Sequence, residues 1–377
     1  MEHALPYLEV SGGPGERGRA HGEVFRDEIQ NLLPAYFEYL DSVSRSSGVE
    51  PLTKTRALEI SATYLEPTER YAPDLMVEAR GIAEAADVSF EELFCLNAFL
   101  DMFDFLSPPF VQSGCTSLMV PGNLKGEGAL IAQNYDLPAY FSEAAILLRV
   151  VDSDVPSSLF YTNAGMLGCS GMNELGISVV INNLVPSDSG PGVPYPFIIR
   201  KVLETERIGD AIDAVGAATR ASGMNYVLCD KHGEIYSIES SARDYEVLVP
   251  FDGPMAHANH YLAERLKPLE CRAWSQRGQS ILRWGRATRL LKGHGSLEPE
   301  DLREILGDRV NAPIGICRKN VNGCGETICG IVLSPPEGKA WFVRVPSEDE
   351  WVAYGVSKET RPGEGAESTK RGRYGFG

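Results

Sequence analysis

Apolar and polar residues recur with two different periods along the chain, and the change between them falls near residue 110. From Gly15 to about Leu106 apolar residues return roughly every 3.6 positions, as in "ERGRAHGEVFRDEIQNLLPAYFEYL", which predicts amphipathic helices. Pro34 is expected to kink or break the first run. Ser89 and Glu92 have the spacing of a capping box, so a further helix is expected to begin there.

The prolines of "LSPPFVQSG" end this helical region, and short apolar runs separated by turn residues follow. These runs predict strands in "CTSLMV", "GALIAQNYD", "AAILLRVV", "SLFYTNAG" and "GMNELGISVVINNL", with later hairpins in "NYVLCDKHGEIYSIES" and "TICGIVLSPPEGKAWFVRV". Helices are expected in "PFIIRKVLETER", "IGDAIDAVGAATR", "CRAWSQRGQSILRWGRATRLLKGHG" and "EPEDLREILGD". This order predicts one layered α+β domain with two antiparallel sheets. Residues 358–377, rich in glycine and charge, are expected to form a disordered tail.

Composition and charge narrow the class of protein. The 377 residues, 43% hydrophobic and 23% charged, are typical of a globular protein with a sizeable core. A net charge of −17 argues against nucleic acid and acidic membranes as partners. There is no signal-peptide pattern and no apolar run of about 18 residues, so a cytoplasmic location is expected. Association into a homo-oligomer is left open.

Eight cysteines are scattered without a CxxC pair, which fits neither a disulfide framework nor a zinc site. The nearest approach to a cluster is Cys317, Cys324 and Cys329, and no histidine lies close to it in sequence. Buried thiols are the better interpretation of these three. No metal and no cofactor are expected.

The stretch "SGCTSLMV" (113–120) lies where the helical region ends and the strands begin, and it has two interpretations. Cys115 is either a buried core cysteine, or the nucleophile that is exposed when the chain is cut before it. A terminal cysteine carries its own general base, because an α-amino group has a pKa of about 7.7–8.0 and is partly unprotonated near neutral pH. Gly114 suits such a cut, since it has no Cβ and leaves its carbonyl open to the thiol.

Several motifs occur in the order found in one known family. They are "GERGRAHG" near the start, "SGCTSLMV", "IAQNYDL", "GMNELGISVVINNL", "HANHYL" (257–262) and "ICRKN" (316–320). Together they resemble the acyl-CoA:6-aminopenicillanate acyltransferase family, the C45 group of N-terminal-nucleophile (Ntn) hydrolases. The last motif departs from the family's "ICRH", because Lys319 stands where the family has histidine.

The resemblance implies a four-layer αββα Ntn-hydrolase sandwich and a precursor that cuts itself between Gly114 and Cys115. Residues 1–114 would become a mainly helical α chain, and residues 115–357 the β chain of the same domain. It also implies roles for four residues. Cys115 is the nucleophile, Asp136 orients and balances the new amino terminus, Asn259 donates to the oxyanion, and Arg318 provides positive charge near the nucleophile.

Each role has a structural alternative. Asp136 stands two residues before Pro138 and could be a turn residue, and Asn259 could form an Asx turn. His257 and His260 are interpreted as structural, because the α-amine makes a catalytic histidine unnecessary. The aromatic stretches "DMFDFLSPPF" and "PAYF" fit an acyl pocket or ordinary core equally well.

The expected function is hydrolysis of a small N-acyl compound at a linear amide, through a Cys115 thioester. Three alternatives remain: an acyl-CoA-dependent N-acyltransferase of the same family, an unprocessed protein that only binds a ligand, and a peptidase with an open cleft. The net negative charge of the chain and the absence of a recognisable basic phosphate loop make coenzyme A the less favoured acyl donor.

Overall fold

The computed structural model describes residues 4–46, 50–105, 114–294, 296–320, 325–344 and 351–356. The predicted tail (358–377) and the segment 106–113 with its two prolines lie outside the described residues. The predicted helical first part is confirmed, and a short strand that the pattern did not predict, β1 (Tyr7–Ser11), precedes it. The helices are α1 (Pro14–Val24), α2 (Arg26–Ser46), α3 (Lys54–Ala62), α4 (Leu65–Tyr71), α5 (Pro73–Ala86) and α6 (Phe90–Asn97).

Two local expectations in this part have different outcomes. Helix α2 continues through Pro34 without a break, because the buried side chains on its inner face, such as Ile29 and Leu33, outweigh one lost backbone hydrogen bond. Ser89 does cap α6, since its Oγ accepts the Glu92 N–H at 3.3 Å. The reciprocal half of the capping box is missing, because the Glu92 carboxylate pairs with Lys54 Nζ at 2.5 Å.

The predicted strands are present and form two sheets. Sheet A contains β1, β4 (Ala145–Val151), β5 (Ser158–Asn163), β6 (Ser170–Asn173), β7 (Ser178–Leu184), β8 (Gly223–Cys229), β9 (Ile235–Ser240) and β10 (Tyr245–Leu248), in that order. Sheet B has the order β11 (Met255–His257), β2 (Gly114–Val120), β3 (Leu130–Leu137), β12 (Glu326–Ser334), β13 (Lys339–Arg344), β14 (Val352–Gly355). Neighbouring strands are antiparallel except β1 and β4, which are parallel.

The sheets pack face to face, with β2 and β3 against β7 and β8. Helices α7 (Tyr195–Leu203) and α8 (Ile208–Ala217) cover the outer face of sheet A, and α9 (Trp274–Lys292) and α10 (Pro299–Leu306) cover that of sheet B. The four central strands are therefore buried along their whole length, which explains their nearly continuous apolar runs. This is the predicted αββα sandwich.

The "GERGRAHG" motif packs α1 tightly against α5. A Cβ added at Gly18 would lie 2.1 Å from the Glu78 carbonyl oxygen, and one at Gly22 would lie 2.3 Å from that of Ile82. Backbone atoms cannot move aside as a side chain can, so these positions require glycine. Helix α1 thereby approaches α5 close enough for the Arg17 Nε to reach the Glu78 Oε2 at 3.2 Å.

Glu78 also joins the helical first part to the sandwich. Arg200 of α7 donates to its two carboxylate oxygens at 2.6 and 3.1 Å, and all three charged side chains of this cluster are at most 3% exposed. His21 Nε2 accepts the Gly165 N–H at 3.0 Å, and Asn97 Nδ2 donates to the Gly165 carbonyl at 2.9 Å. These buried contacts, with strand β1 in sheet A, attach residues 4–105 firmly to the rest of the chain.

We predict that Gly18→Ala destabilises the protein by about 2 kcal/mol, because the new methyl group forces α1 and α5 apart. Gly15→Ala is the matched control on the same helix. A Cβ there meets nothing closer than Val77 Cγ1 at 3.5 Å, so it should leave stability unchanged or raise it slightly through helix propensity. Urea unfolding of both variants measures the difference, and equal effects would contradict the packing argument.

Candidate functional site

Cys115 is the second residue of β2, at the end of the strand where sheet B opens toward the "HANHYL" segment. Strand β11 pairs with β2 only up to His257 opposite Ser117, so the chain leaves the sheet just before it reaches Cys115. Asn259 takes the place of the missing strand, and its Oδ1 accepts the Cys115 N–H at 2.8 Å. Cys115 is 3% exposed, so this contact is shielded from water.

The orientation of the Asn259 amide follows from its partners. Arg283 Nη2 donates to Oδ1 at 2.8 Å, and Nδ2 donates to the Asn183 carbonyl at 3.0 Å. A guanidinium can only donate and a carbonyl can only accept, so the oxygen must face Cys115. The structure thus brings Asn259 to the predicted place. In the intact chain, however, the side chain presents an acceptor to the Cys115 nitrogen, where the sequence predicted an oxyanion donor.

Asp136 lies opposite Gly114 in the pairing of β2 with β3 and opposite Thr327 in the pairing of β3 with β12. The Thr327 hydroxyl donates to its Oδ1 at 2.7 Å. Its Oδ2 is buried and has no hydrogen-bond partner among the described residues. Burial raises the pKa of Asp136 to about 6, against the lowering effect of Arg318 and Arg283. The turn interpretation of this residue is excluded by its place inside β3.

Gly114 faces three charged groups directly. A Cβ at this position would lie 2.7 Å from Arg318 Nη1, 3.0 Å from Arg283 Nη2 and 3.2 Å from Asp136 Oδ2. The absence of a side chain at Gly114 is what lets two guanidinium groups and a carboxylate approach the peptide bond between Gly114 and Cys115.

Arg318 is held at the site by its own backbone. Its N–H donates to Thr327 Oγ1 at 2.8 Å, and the same hydroxyl donates to Asp136. The Arg318 side chain is 5% exposed, whereas Lys319, at the position of the family's histidine, is exposed. The departure from the "ICRH" pattern therefore affects a surface position, and the arginine itself lies beside Gly114 as the sequence predicted.

Arg283 is a site residue that the sequence analysis missed. Its Nη1 donates to the Cys115 carbonyl and, at 3.0 Å, to Thr116 Oγ1, in addition to the bond from Nη2 to Asn259. Burial lowers the pKa of Arg283 to about 10, so it stays charged at neutral pH. The sequence did carry a signal for Arg283, because a charged residue is unusual on the buried face of a helix. Arg283 shares the buried face of α9 with Gln276, Ser280, Ala287 and Leu291.

A third arginine extends the site on its other side. Arg272 Nη2 donates to Asn183 Oδ1 at 2.8 Å, which turns the Asn183 amide nitrogen away from it. Asn183 Nδ2 is buried and has no hydrogen-bond partner among the described residues. Asn183 thus offers an uncommitted neutral donor next to Asn259. No spacing in the sequence distinguished it from Asn182.

The Cys115 thiol is protonated in the intact chain at neutral pH. Burial, together with the negative charge of Asp136, raises its pKa to about 12, while the Gln133 amide and Arg283 act in the opposite direction. A thiolate nucleophile therefore requires a base beside the sulfur.

The two histidines of "HANHYL" have partners away from Cys115. His260 Nδ1 contacts Ser280 Oγ at 2.7 Å, and the same oxygen accepts the Asn259 N–H at 2.7 Å. Burial lowers the pKa of His260 to about 3. His257 contacts Glu239 Oε1 through Nε2 at 2.6 Å. This geometry agrees with the structural interpretation of both residues.

The other sequence candidates belong to the interior of the protein. Phe141 of "PAYF" is fully buried and packs on Phe99, with ring centroids 4.5 Å apart, which favours the core interpretation for this residue. Residues 106–110 of "DMFDFLSPPF" lie outside the described residues. Within the described ranges, no group of His, Cys, Asp and Glu has the arrangement of a metal site. Cys317 and Cys329 are buried thiols, and Cys324 lies outside the described residues. No described helix has the length and apolar character needed to cross a membrane.

Comparison with solved structures returns several enzymes at low identity. A variant of conjugated bile acid hydrolase from Clostridium perfringens is 13% identical, with a TM-score of 0.48, over 68% of this chain and 97% of that one. The N-acylethanolamine-hydrolyzing acid amidase ortholog of Caenorhabditis elegans is 18% identical, with a TM-score of 0.40, over 59% and 93%. Penicillin V acylase from Agrobacterium tumefaciens is 13% identical, with a TM-score of 0.40, over 65% and 89%.

Sequence comparison is more specific. The chain is 25% identical over 344 residues to the 40 kDa form of acyl-coenzyme A:6-aminopenicillanic-acid-acyltransferase from Emericella nidulans, covering 89% of this chain and 91% of that protein. Residues 124–348, more than half of the chain, match the family model described as acyl-coenzyme A:6-aminopenicillanic acid acyl-transferase. The protein therefore belongs to the acyl-coenzyme A:6-aminopenicillanic acid acyl-transferase family.

Proposed function

We propose that the chain is the precursor of a self-processing enzyme that cuts itself between Gly114 and Cys115 and then uses the new amino-terminal cysteine to break amide bonds. The observation that carries this proposal is the set of groups around that peptide bond. Asn259 Oδ1 accepts from its nitrogen, while Arg318, Arg283 and the unpartnered Asp136 Oδ2 surround Gly114. A buried core cysteine needs none of these polar neighbours.

Cleavage follows from the roles that these groups can take. Asp136 accepts the thiol proton, and the Cys115 sulfur attacks the Gly114 carbonyl carbon. The carbon–nitrogen bond then breaks, the nitrogen takes up a proton, and a thioester links the two residues. Water hydrolyses the thioester, which leaves Gly114 with a carboxylate and Cys115 with a free amino group. The nearby guanidinium groups stabilise the negative charge that develops on the Gly114 oxygen.

After cleavage the same groups serve turnover. The α-amino group of Cys115 replaces Asp136 as the base for the thiol, and Asn259 Oδ1 and Asp136 hold this amino group in place. The substrate acyl group is carried as a Cys115 thioester. Asn183 Nδ2, buried and uncommitted, is the neutral donor that we assign to the substrate oxyanion.

The products of cleavage would be an α chain of residues 1–114 and a β chain beginning at Cys115. Residues 4–105 are attached by the buried Glu78–Arg200 pair, by the His21–Gly165 hydrogen bond and by the pairing of β1 with β4. None of these contacts involves the cut peptide bond, so both chains would remain one folded unit.

For the substrate we favour a small N-acyl compound with a linear amide, with water as the acyl acceptor. An acyl-CoA-dependent N-acyltransferase is the second candidate, because the fungal relative carries that activity in its name. Incubation with N-acyl amino acids, β-alanyl amides and penicillins, with released amine as the readout, tests hydrolysis. A parallel incubation with an acyl-CoA and an amine tests transfer. Amide formation that depends on acyl-CoA, without hydrolysis of any amide, would reverse our preference.

We predict that the purified wild-type chain separates on a denaturing gel into fragments of 114 and 263 residues, with the second beginning at Cys115 by intact mass. Cys115→Ala should remain at 377 residues and show no turnover, because the attacking sulfur is absent. Cys229→Ala is the matched control. Its thiol is also buried, but Cys229 pairs with Ser178 at one end of β7, whereas Asn183 lies near the other end. This variant should therefore be cleaved normally. A wild-type chain that stays intact and inactive would contradict this proposal and favour the alternative of an unprocessed protein that only binds a ligand.

The raised pKa of Asp136 predicts how cleavage depends on pH. Since the carboxyl group of Asp136 takes up its proton as the pH falls through about 6, the base is lost on acidification. The cleavage rate should then fall about tenfold for each pH unit below 6. Freshly translated chain, transferred to buffers between pH 5 and 8 and sampled over time, gives the rate, and Asp136→Asn should abolish cleavage throughout.

Asp104→Asn controls for another acid with a raised pKa. Burial raises the pKa of Asp104 to about 7, so this group also titrates in the range tested. We expect the acid limb to persist in Asp104→Asn. A rate independent of pH between 5 and 8, or an acid limb that disappears in this variant, would contradict the role of Asp136.

A further inference from the structure

The segment of residues 258–263, which we call the Asn259 loop, carries the side chain that binds the Cys115 nitrogen. It follows β11 of sheet B and leads toward α9, and none of its own residues belongs to a strand. Its end is fixed by Glu239, which lies in β9 of sheet A. The Leu262 N–H donates to Glu239 Oε1 at 2.6 Å, and the Ala263 N–H donates to Oε2 at 2.8 Å.

The beginning of the loop is fixed by the same carboxylate through His257. The Nε2 atom of His257 lies 2.6 Å from Glu239 Oε1, and its Nδ1 lies 2.7 Å from the Ala258 carbonyl oxygen. A carbonyl only accepts, so Nδ1 carries a hydrogen and the ring bridges the carboxylate and the first peptide of the loop. Glu239 and His257 are both fully buried.

Glu239 thus binds both ends of the Asn259 loop, from the opposite sheet. His257 pairs with Ser117 in sheet B, so the contact also sets the distance between β9 and the strand that carries Cys115. Between the two anchored ends stands Asn259, whose main-chain N–H is bound by Ser280 Oγ at 2.7 Å. Charged groups also face the loop from other elements: Arg277, Arg283 and Arg272 act on His260, and Glu270 accepts the Tyr261 N–H at 3.1 Å.

A buried, hydrogen-bonded pair of polar side chains such as Glu239 and His257 is a costly way to fill space. Taking a carboxylate and an imidazole out of water is offset only when both are well hydrogen-bonded, and apolar residues of similar volume are often at least as stabilising. Unlike apolar side chains, the pair forms hydrogen bonds that fix the direction of the loop backbone. The placement of Asn259 Oδ1, 2.8 Å from the Cys115 nitrogen, depends on that backbone.

We propose that Glu239 and His257 are a positioning pair for the reaction, which acts on Cys115 only through the Asn259 loop. This inference rests on the proposed function. It predicts that weakening the pair slows both self-cleavage and turnover, because a shift of about 1 Å in a group that holds the reacting atoms costs on the order of a hundredfold in rate.

The test is Glu239→Gln, which keeps the shape of the side chain. Its amide has one oxygen, so it cannot accept from the Leu262 and Ala263 amides on separate oxygens as the carboxylate does. We expect the cleavage rate and kcat to fall by about 10- to 100-fold. KM should stay within about twofold of the wild-type value, since the loop then misplaces the nucleophile and not the substrate.

Glu78→Gln is the matched control for a purely structural effect. It removes an equally buried carboxylate from a cluster with Arg17 and Arg200 that does not touch the Asn259 loop. It should lower the melting temperature while leaving kcat per folded molecule unchanged. If Glu239→Gln fails to fold, His257→Gln replaces it, because a glutamine amide can still donate to Glu239 and should retain part of the rate.

The outcomes separate the two proposals. If the wild-type chain is cleaved and active, and Glu239→Gln keeps a kcat within about twofold of it, the positioning role is overturned while the proposed function stands. The positioning role is also overturned if kcat falls only in proportion to the folded fraction, with Glu78→Gln as the reference. A wild-type chain that stays intact and inactive overturns both.

Discussion

The Asn259 side chain accepts the Cys115 N–H, where a neighbouring strand of a sheet would normally supply a backbone carbonyl. The candidate site is organised around this hydrogen bond. Strand β11 ends opposite Ser117, so the neighbouring position along β2 is open for Asn259. The direction of a side-chain oxygen depends on the groups that bind the side chain, whereas the direction of a backbone carbonyl in a strand is set by the sheet. Arg283 on one side and the Asn183 carbonyl on the other orient the Asn259 amide.

Charge and burial reinforce this arrangement. Arg272, Arg283 and Arg318 are each at most 6% exposed, and Arg283 and Arg318 lie beside Gly114 together with the Asp136 carboxylate. In so dry an environment a carboxyl group is held closer to neutral and a thiol is kept protonated. At neutral pH the Cys115 thiol is therefore protonated, and under the proposed function it becomes a nucleophile only when a base such as the Asp136 carboxylate takes up its proton.

The helical first part of the chain contributes stability at a distance from these groups. Glycines in the "GERGRAHG" motif bring α1 onto α5, and the Glu78 carboxylate then connects both helices to α7. The motif that resembles the family at the start of the chain is accordingly a packing device, while "SGCTSLMV", "IAQNYDL" and "HANHYL" supply the site. These motifs of the chain thus meet two different physical demands.

Periodicity and turn residues were enough to predict the succession of helices and strands and the change between them near residue 110, because these patterns depend on neighbouring residues. The resemblance of short motifs to one family, and not periodicity, pointed to Cys115, Asp136, Asn259 and Arg318 as candidates. The folded chain alone reveals the direction of the Asn259 amide, the hydrogen bond from Arg283 to the Cys115 carbonyl, and the contacts of Glu239 with both ends of the Asn259 loop. Arg283 and Cys115 are 168 positions apart, and a spacing pattern carries no information on such contacts. The direction of an amide, finally, depends on which partners reach it, and those are known only once the sheets have packed.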